Sequence, residues 1–196
     1  MTVKIINSSD VESLLDWSEL VTNLIAGHDR PKAQIRDVIL SRKEDTLLSR
    51  TAWIDGLGQL VKTATIFPKN NDTSISAING AVSLFSDQTG ELEAFIDFHL
   101  LTKWKTAADS LLATKHLARK NSQKILLVGS GNMSSAMVAA YKTIFPNANY
   151  YVWSRSLKNA SLFSKKHAAT LVENLKKGVE EADIICTATM SIKPLI

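Results

Sequence analysis

Lys124-Ile-Leu-Leu-Val128-Gly129-Ser130-Gly131-Asn132-Met133-Ser134 is the stretch on which the fold of this 196-residue chain turns. Its opening run, Ile125 to Val128, is continuously apolar, as in a strand buried on both faces of a parallel sheet. Two glycines follow at once, and then a segment with helical composition. Working downstream, the spacing predicts a helix over 132–145, a strand over 150–153 and a helix over 157–167. A short strand over 170–172, a helix over 174–182 and a strand over 183–188 complete the series. Strand–helix alternation at this spacing is a doubly wound α/β pattern.

Upstream the texture changes. A helix is expected over 102–118, ending in the polar stretch Arg119-Lys-Asn-Ser-Gln123, which is the best domain boundary. Domains are therefore expected at 1–119 and 120–196. The first opens with a short strand, Val3–Ile6. Ser9-Asp10-Val11-Glu12 then reads as a capping box for one helix running to about Gly27. From Arg36 to Asp97 the apolar period falls to two, with strands near 36–41, 45–54, 59–67, 76–86 and 91–97. Asp87-Gln-Thr-Gly90 supplies turn chemistry between the last pair. The fold class is thus α/β: an α+β mixed-sheet domain, then a partial, doubly wound parallel sheet of the Rossmann-like kind.

Composition narrows the function classes. The chain is 45% hydrophobic and 21% charged, which excludes disorder and coiled coil as whole-chain readings. No apolar run approaches the ~18 residues that span a bilayer, and the N-terminus lacks a basic region followed by an apolar one. The net charge of +4 is spread along the chain, so no nucleic-acid footprint is expected. The single cysteine, Cys186, fits a reducing cytoplasm and a structural role on a buried strand. His28, His99, His116 and His167 show no metal-ligand spacing, and Trp17, Trp53, Trp104 and Trp153 suit core or interface anchors. No metal is expected.

Two positions speak for a dinucleotide. Gly129 and Gly131, with Ser130 between them, would let backbone approach a pyrophosphate at the N-terminus of a helix. Ser134 stands where the motif takes a small residue for helix–strand packing. At the end of the next strand, where a carboxylate would hold the ribose 2′-hydroxyl of NAD, the sequence reads Ser154-Arg155-Ser156. A guanidinium between two hydroxyls suits a 2′-phosphate, so NADP(H) is favoured, with NAD(H) possible. Lys62 also stands out. It shares strand parity with Leu60, Ala64 and Ile66 and interrupts an apolar face, which suits carboxylate binding or acid–base work.

Four segments together resemble the ornithine cyclodeaminase/mu-crystallin family: Leu60–Pro68, Leu101–Ser110, Val128–Gly131 and Ala182–Thr189. The resemblance implies a substrate domain whose mixed sheet pairs across a homodimer, followed by a Rossmann-like domain. It implies NAD(P)-dependent chemistry on a small amino or imino acid: cyclodeamination of ornithine, reduction of cyclic ketimines, or amino-acid dehydrogenation. On that basis Lys62 is the catalytic or carboxylate-holding lysine, and Arg36 matches an arginine that binds the substrate carboxylate. Lys105 stands where the family has arginine, keeping the charge without the bidentate fork, and Asp109 one turn on can pair with it. Asn132 and Met133 follow the second glycine, Met133 replacing a usual glutamine, and Thr189 matches a threonine beside the cofactor. Ala77 falls where some members have a cofactor-contacting threonine. The family's acid/base aspartate is expected beyond residue 196. A non-catalytic cofactor- or ligand-binding remnant of the family is the alternative.

Overall fold

The computed structural model describes residues 2–196. By compactness they form two units, one holding the chain up to Asp16 with Asn23–Thr102, the other Trp17–Thr22 with Lys103–Ile196.

The first unit is a six-stranded mixed sheet. Its strands are β1 (Lys4–Ile6), β2 (Gln34–Arg42), β3 (Asp45–Ile54), β4 (Gly58–Ile66), β5 (Ile78–Phe85) and β6 (Leu92–Ile96). They lie in the order β1-β6-β5-β4-β3-β2, with β2 to β6 an antiparallel meander and β1 parallel to β6. The period-two pattern therefore reads as intended. The turn after β5 closes where expected: the Gly90 N–H donates to the Ser86 carbonyl, and the Ser86 N–H to that of Glu91, both at 3.0 Å.

Pairing register assigns every strand residue to one of two faces. One face carries the core of this unit, Ala64, Val82 and Phe98, with Leu60, Ile96 and Leu101 against it. The other carries Ile5, Val38, Leu40, Trp53 and Phe95, all large, apolar and exposed. Strand β2 is exposed along its whole length.

The N-terminal helix departs from its expected form. Instead of one helix there are α1 (Ser8–Val11), a 3-10 turn (Glu12–Leu14) and α2 (Trp17–His28). Asn7, not Ser9, is the N-cap, and the Ser8 hydroxyl donates to the Glu12 carboxylate at 2.8 Å. The break falls at Leu15, whose backbone is extended. Leu14 stays exposed, whereas Trp17 and Val21 are buried, so burial of the second stripe overrides continuity of the helix.

Helix α3 (Phe98–Leu117) begins a turn earlier than its composition suggested. The Asp97 carboxylate accepts the Leu100 N–H at 2.7 Å, a side-chain cap that fixes the start.

The second unit holds four parallel strands, β7 (Lys124–Val128), β8 (Asn149–Trp153), β9 (Thr170–Leu171) and β10 (Ile184–Thr187). Their order is β10-β7-β8-β9, with α4 (Asn132–Tyr141), α5 (Leu157–His167) and α6 (Leu175–Glu181) on the connections. Ile125 to Val128 are at most 1% exposed, as a central parallel strand requires. Helix α4 stops at Tyr141 rather than Phe145. The Tyr141 side chain is buried, its hydroxyl 2.7 Å from that of Thr114, and the chain leaves the helix through shorter-range bonds. The polar stretch Arg119–Gln123 is tied down by Asp183. Its carboxylate accepts the Arg119 guanidinium at 2.6 Å and the Gln123 and Lys124 N–H groups at 2.9 and 3.0 Å. Those two backbone donors, with Arg119 adding to them, hold the Asp183 carboxyl below the usual carboxylate range. Among the described residues no helix is long and apolar enough to cross a membrane.

Candidate functional site

The glycine turn after β7 is built by necessity. Gly129 has φ +116°, and a Cβ there would lie 2.2 Å from the Ala188 carbonyl oxygen. Both facts exclude a side chain. At Gly131 the case is different, since a Cβ would meet no protein atom within 4 Å. Protein packing does not explain that glycine. Gly131 is also the N-cap of α4 and offers no side chain, so the first amides of Asn132 and Met133 lack a side-chain cap. These amides and the helix dipole form an anion-binding end.

A cavity of about 410 Å³ opens beside this turn. Gly129, Ser130, Ser154, Arg155, Ser156 and Thr189 line it, which gathers six of the expected cofactor residues in one place. Gly131, Asn132 and Met133 belong to the helix end and are not part of its wall. Sequence reading missed Asn159, Ala188 and Met190, which also line it. The signal for Asn159 was available: it lies in the first turn of α5, three residues from Ser156. Ser156 has a structural duty as N-cap of α5, its Oγ accepting the Asn159 N–H at 3.3 Å. Arg155 is exposed, and no ion pair to it is found among the described residues. Ser134 is fully buried, and its hydroxyl has no hydrogen-bond partner there. Burial raises the Cys186 thiol, consistent with an inert packing role.

Lys62 sits on the core-bearing face of the first sheet. It is half-buried, donates to Thr102 Oγ1 at 3.0 Å, and lies 4.9 Å from the centroid of the Phe98 ring. The aromatic face and the hydroxyl both favour an ammonium. Gly80 makes room for that ring, since a Cβ would stand 2.1 Å from the Thr63 carbonyl oxygen and 2.5 Å from Phe98 Cδ2.

The register does not bring Arg36 to Lys62. Arg36 pairs with Thr51, which pairs with Val61, whereas Lys62 pairs with Arg50, which pairs with Asp37. Arg36 therefore belongs to the opposite face, the exposed apolar one, where its Nη1 donates to the Ile35 carbonyl at 2.8 Å. Arg50, unmarked in the sequence, shares the face of Lys62. Its Nε and Nη2 donate to the two Asp37 carboxylate oxygens at 2.8 and 2.6 Å. That contact holds the Asp37 carboxyl below the usual range and the guanidinium above its own. Lys105, on α3, is exposed and forms the expected ion pair with Asp109. Ala77 is buried, and its carbonyl accepts the Phe67 N–H at 2.7 Å. Among the described residues no cluster of three metal-ligating side chains occurs.

Comparison with known proteins places the chain. Residues 34–196 match the model of the ornithine cyclodeaminase/mu-crystallin family. A Delta(1)-pyrroline-2-carboxylate reductase of Paracoccus denitrificans is 38% identical over 193 residues, covering 95% of this chain and 61% of that protein. The enzyme of the same name from Colwellia psychrerythraea is 32% identical, over 98% of this chain and 65% of its own. Among solved structures, an archaeal alanine dehydrogenase dimer with bound NAD superposes with TM-score 0.85 at 25% identity, covering 100% of this chain and 63% of that one. The Thermococcus litoralis Delta(1)-pyrroline-2-carboxylate reductase, solved with NADH and L-proline, gives 0.85 at 24% identity, over 99% and 64%, and shares the fold. The chain thus spans just under two thirds of the length of these relatives. It belongs to the ornithine cyclodeaminase/mu-crystallin family.

Proposed function

We propose that this chain carries the cofactor cradle and part of the substrate-binding apparatus of a nicotinamide-dependent reductase of small cyclic imino acids, in the cytoplasm. The observation that carries this reading is the 38% identity, over nearly the whole chain, to a Delta(1)-pyrroline-2-carboxylate reductase. Ornithine cyclodeamination belongs to the same family, and a lysine cyclodeaminase shares the fold at TM-score 0.79.

The residues present fit a dinucleotide. Gly131 is clear of protein, Gly129 allows the turn, and the α4 amides of Asn132 and Met133 would face the cofactor's pyrophosphate. Ser130 and Thr189 would flank the cofactor in the cavity, and Ser154, Arg155 and Ser156 would meet a ribose 2′-phosphate, which favours NADP(H) over NAD(H). When bound, the reduced nicotinamide supplies a hydride to the imine carbon. The chain's own part is to hold the substrate. Lys62 would offer its ammonium to the substrate carboxylate or imine nitrogen, with Thr102 and the Phe98 ring keeping Nζ in place. Lys105 would contribute a second positive charge once its bond to Asp109 is exchanged for one to substrate. Arg36 remains a proposed carboxylate ligand, although its face differs from that of Lys62.

The functional division at 1–119 and 120–196 is part of this reading. So is a homodimer, formed through the exposed apolar sheet face of Ile5, Val38, Leu40, Trp53 and Phe95. Sedimentation of the purified chain tests it, and a strictly monomeric species overturns it.

The reaction is tested by following oxidation of NADPH and NADH with Δ1-pyrroline-2-carboxylate and, in the reverse sense, reduction of NADP+ and NAD+ with L-proline; turnover of L-ornithine, which leaves the nicotinamide unchanged overall, is followed by release of ammonia. Turnover of the cyclic imino acid that Lys62→Met removes supports the reading. Cofactor binding without turnover of any of these supports the second one, a non-catalytic binding protein. That alternative draws on Lys105 standing paired to Asp109 and on Met133 in place of glutamine.

A further inference from the structure

Helix α5 begins on the wall of the cavity beside the glycine turn, where both Ser156 and Asn159 line it. Ser156 is the N-cap, and Asn159 is the third helical residue, its N–H held by the Ser156 hydroxyl oxygen at 3.3 Å. A serine cap is ordinarily answered at this third position by glutamate or glutamine, whose side chain reaches back to the N-cap amide. An acid there also suits the positive end of the helix dipole. Helix α5 has no acidic residue in its first turn. It carries Lys158 instead, with Arg155 just before the cap, and both are exposed.

A carboxamide stands where the helix would favour an acid. Asn159 shares the cavity wall with Ser154, Arg155 and Ser156. Its backbone N–H is spent on the cap, but among the described residues its side chain makes no hydrogen bond. Asn174 makes the contrast. At the start of α6 that asparagine is itself the N-cap, and its Oδ1 accepts the Lys177 N–H at 3.1 Å. Asn159 is placed by the cap of α5 and keeps its own donors and acceptor for the cavity.

A carboxamide has two N–H donors and one acceptor oxygen. It donates to phosphate oxygens, and it both donates to and accepts from a hydroxyl. A carboxylate in the same place only accepts, so it serves a hydroxyl and repels a phosphate. The choice of side chain at position 159 thus bears on which ribose 2′ substituent the cavity admits, separately from the charge that Arg155 brings.

We propose that Asn159 is a specificity-determining residue of the cofactor cavity, one that holds the ribose 2′ substituent and admits either a hydroxyl or a phosphate. Arg155 tilts the balance toward the phosphate; Asn159 keeps the hydroxyl acceptable. This deepens the reading of the cavity as a dinucleotide site and rests on it.

The test is fluorescence titration of the unmodified 196-residue chain and two variants with NADPH and with NADH. Asn159→Ala removes the carboxamide and is expected to weaken both cofactors by about fivefold, the loss of one neutral hydrogen bond. Asn159→Asp is nearly isosteric and restores the acid that the helix favours, so thermal unfolding should find it at least as stable as the parent. Asn159→Asp is expected to weaken NADPH roughly tenfold or more and to leave NADH within about twofold of the unmodified protein. Unchanged affinities in Asn159→Ala, or equal losses of both cofactors in Asn159→Asp, overturn the assignment of Asn159 and leave the cavity a dinucleotide site. A loss confined to one cofactor in Asn159→Ala overturns its double role. Binding of neither cofactor by the unmodified chain overturns the dinucleotide reading and this proposal with it.

Discussion

The glycine turn after β7 and the charged row on the first sheet present their functional groups by different means. At the turn, the groups follow one another along the chain: Gly129, Ser130, Gly131, then the first amides of α4. Their geometry is dictated by local backbone, and a strand–turn–helix sequence is enough to predict it. On the sheet, Asp37, Arg50 and Lys62 are brought together by register over 25 positions of chain, with Thr102 and Phe98 arriving from a helix further on. The first site, the turn itself, is set largely by its own backbone, although Ala188 closes on it from the end of β10. The second depends on each strand being in step.

The largest effect is expected where local backbone is least forgiving. Gly129→Ala must place a Cβ 2.2 Å from the Ala188 carbonyl oxygen at φ +116°. Backbone strain alone costs about 1–3 kcal/mol, and the clash adds to it by pushing β10 away from the turn. Dinucleotide binding, followed by fluorescence of the reduced cofactor, is expected to disappear. Lysine reactivity at Lys62 should be unaffected. Retention of wild-type cofactor affinity would break the claim that the turn is fixed by its glycines.

Gly80→Ala makes the corresponding change on the sheet. The new Cβ meets the Thr63 carbonyl and the Phe98 ring, and overpacking of this kind costs about 1–3 kcal/mol. The sheet must shift or the ring must leave Lys62. Chemical denaturation should show lower stability, and Lys62 should be acylated faster than in the parent. Cofactor binding should persist, the reverse of the Gly129→Ala result.

This contrast also explains what could be read in advance. The parallel half was legible because the apolar run Ile125–Val128, the glycine pair and the strand–helix alternation are all local signals. The strands of the mixed sheet were legible from their period. Which residues share a face with Lys62 was not, because parity within a strand says nothing of parity between strands. Arg36 and Arg50 are both strand arginines, and only the pairing Arg50–Lys62 separates them. The break at Leu15 escaped for a similar reason: it answers to burial of Trp17 and Val21, set by distant contacts.

The next effects lie within the cofactor half. Arg155→Ala removes the exposed guanidinium from the cavity wall. A charge-assisted contact to a phosphate is worth about 1.5–3 kcal/mol, reduced by exposure to solvent, so NADPH affinity should fall by roughly tenfold. NADH affinity should hardly change. Equal loss for both cofactors would mean that Arg155 does not read the 2′ position. Ser134→Ala acts in the other direction. Its buried hydroxyl lacks a partner among the described residues, and removing such a group is expected to raise stability by up to about 1 kcal/mol. Thermal unfolding measures it, and a loss of stability would show that the hydroxyl is satisfied in solution.

The smallest effect sharpens the comparison most, because it concerns two lysines offered for the same work. Lys62 is half-buried and held by a neutral hydroxyl and an aromatic ring, whereas Lys105 is exposed and held by the Asp109 carboxylate. The Asp109 carboxylate competes directly with an incoming carboxylate. Yet an exposed pair one helical turn apart contributes only about 0.3–0.5 kcal/mol, so Asp109 is a weak competitor. Asp109→Asn should therefore tighten L-proline binding by no more than about twofold and leave cofactor affinity unchanged. A gain of tenfold would mean that the Lys105–Asp109 pair is far stronger than its exposure allows and acts as a true gate on the ligand. No gain at all would mean that Lys105 takes no part in holding the carboxylate, leaving that task to the sheet.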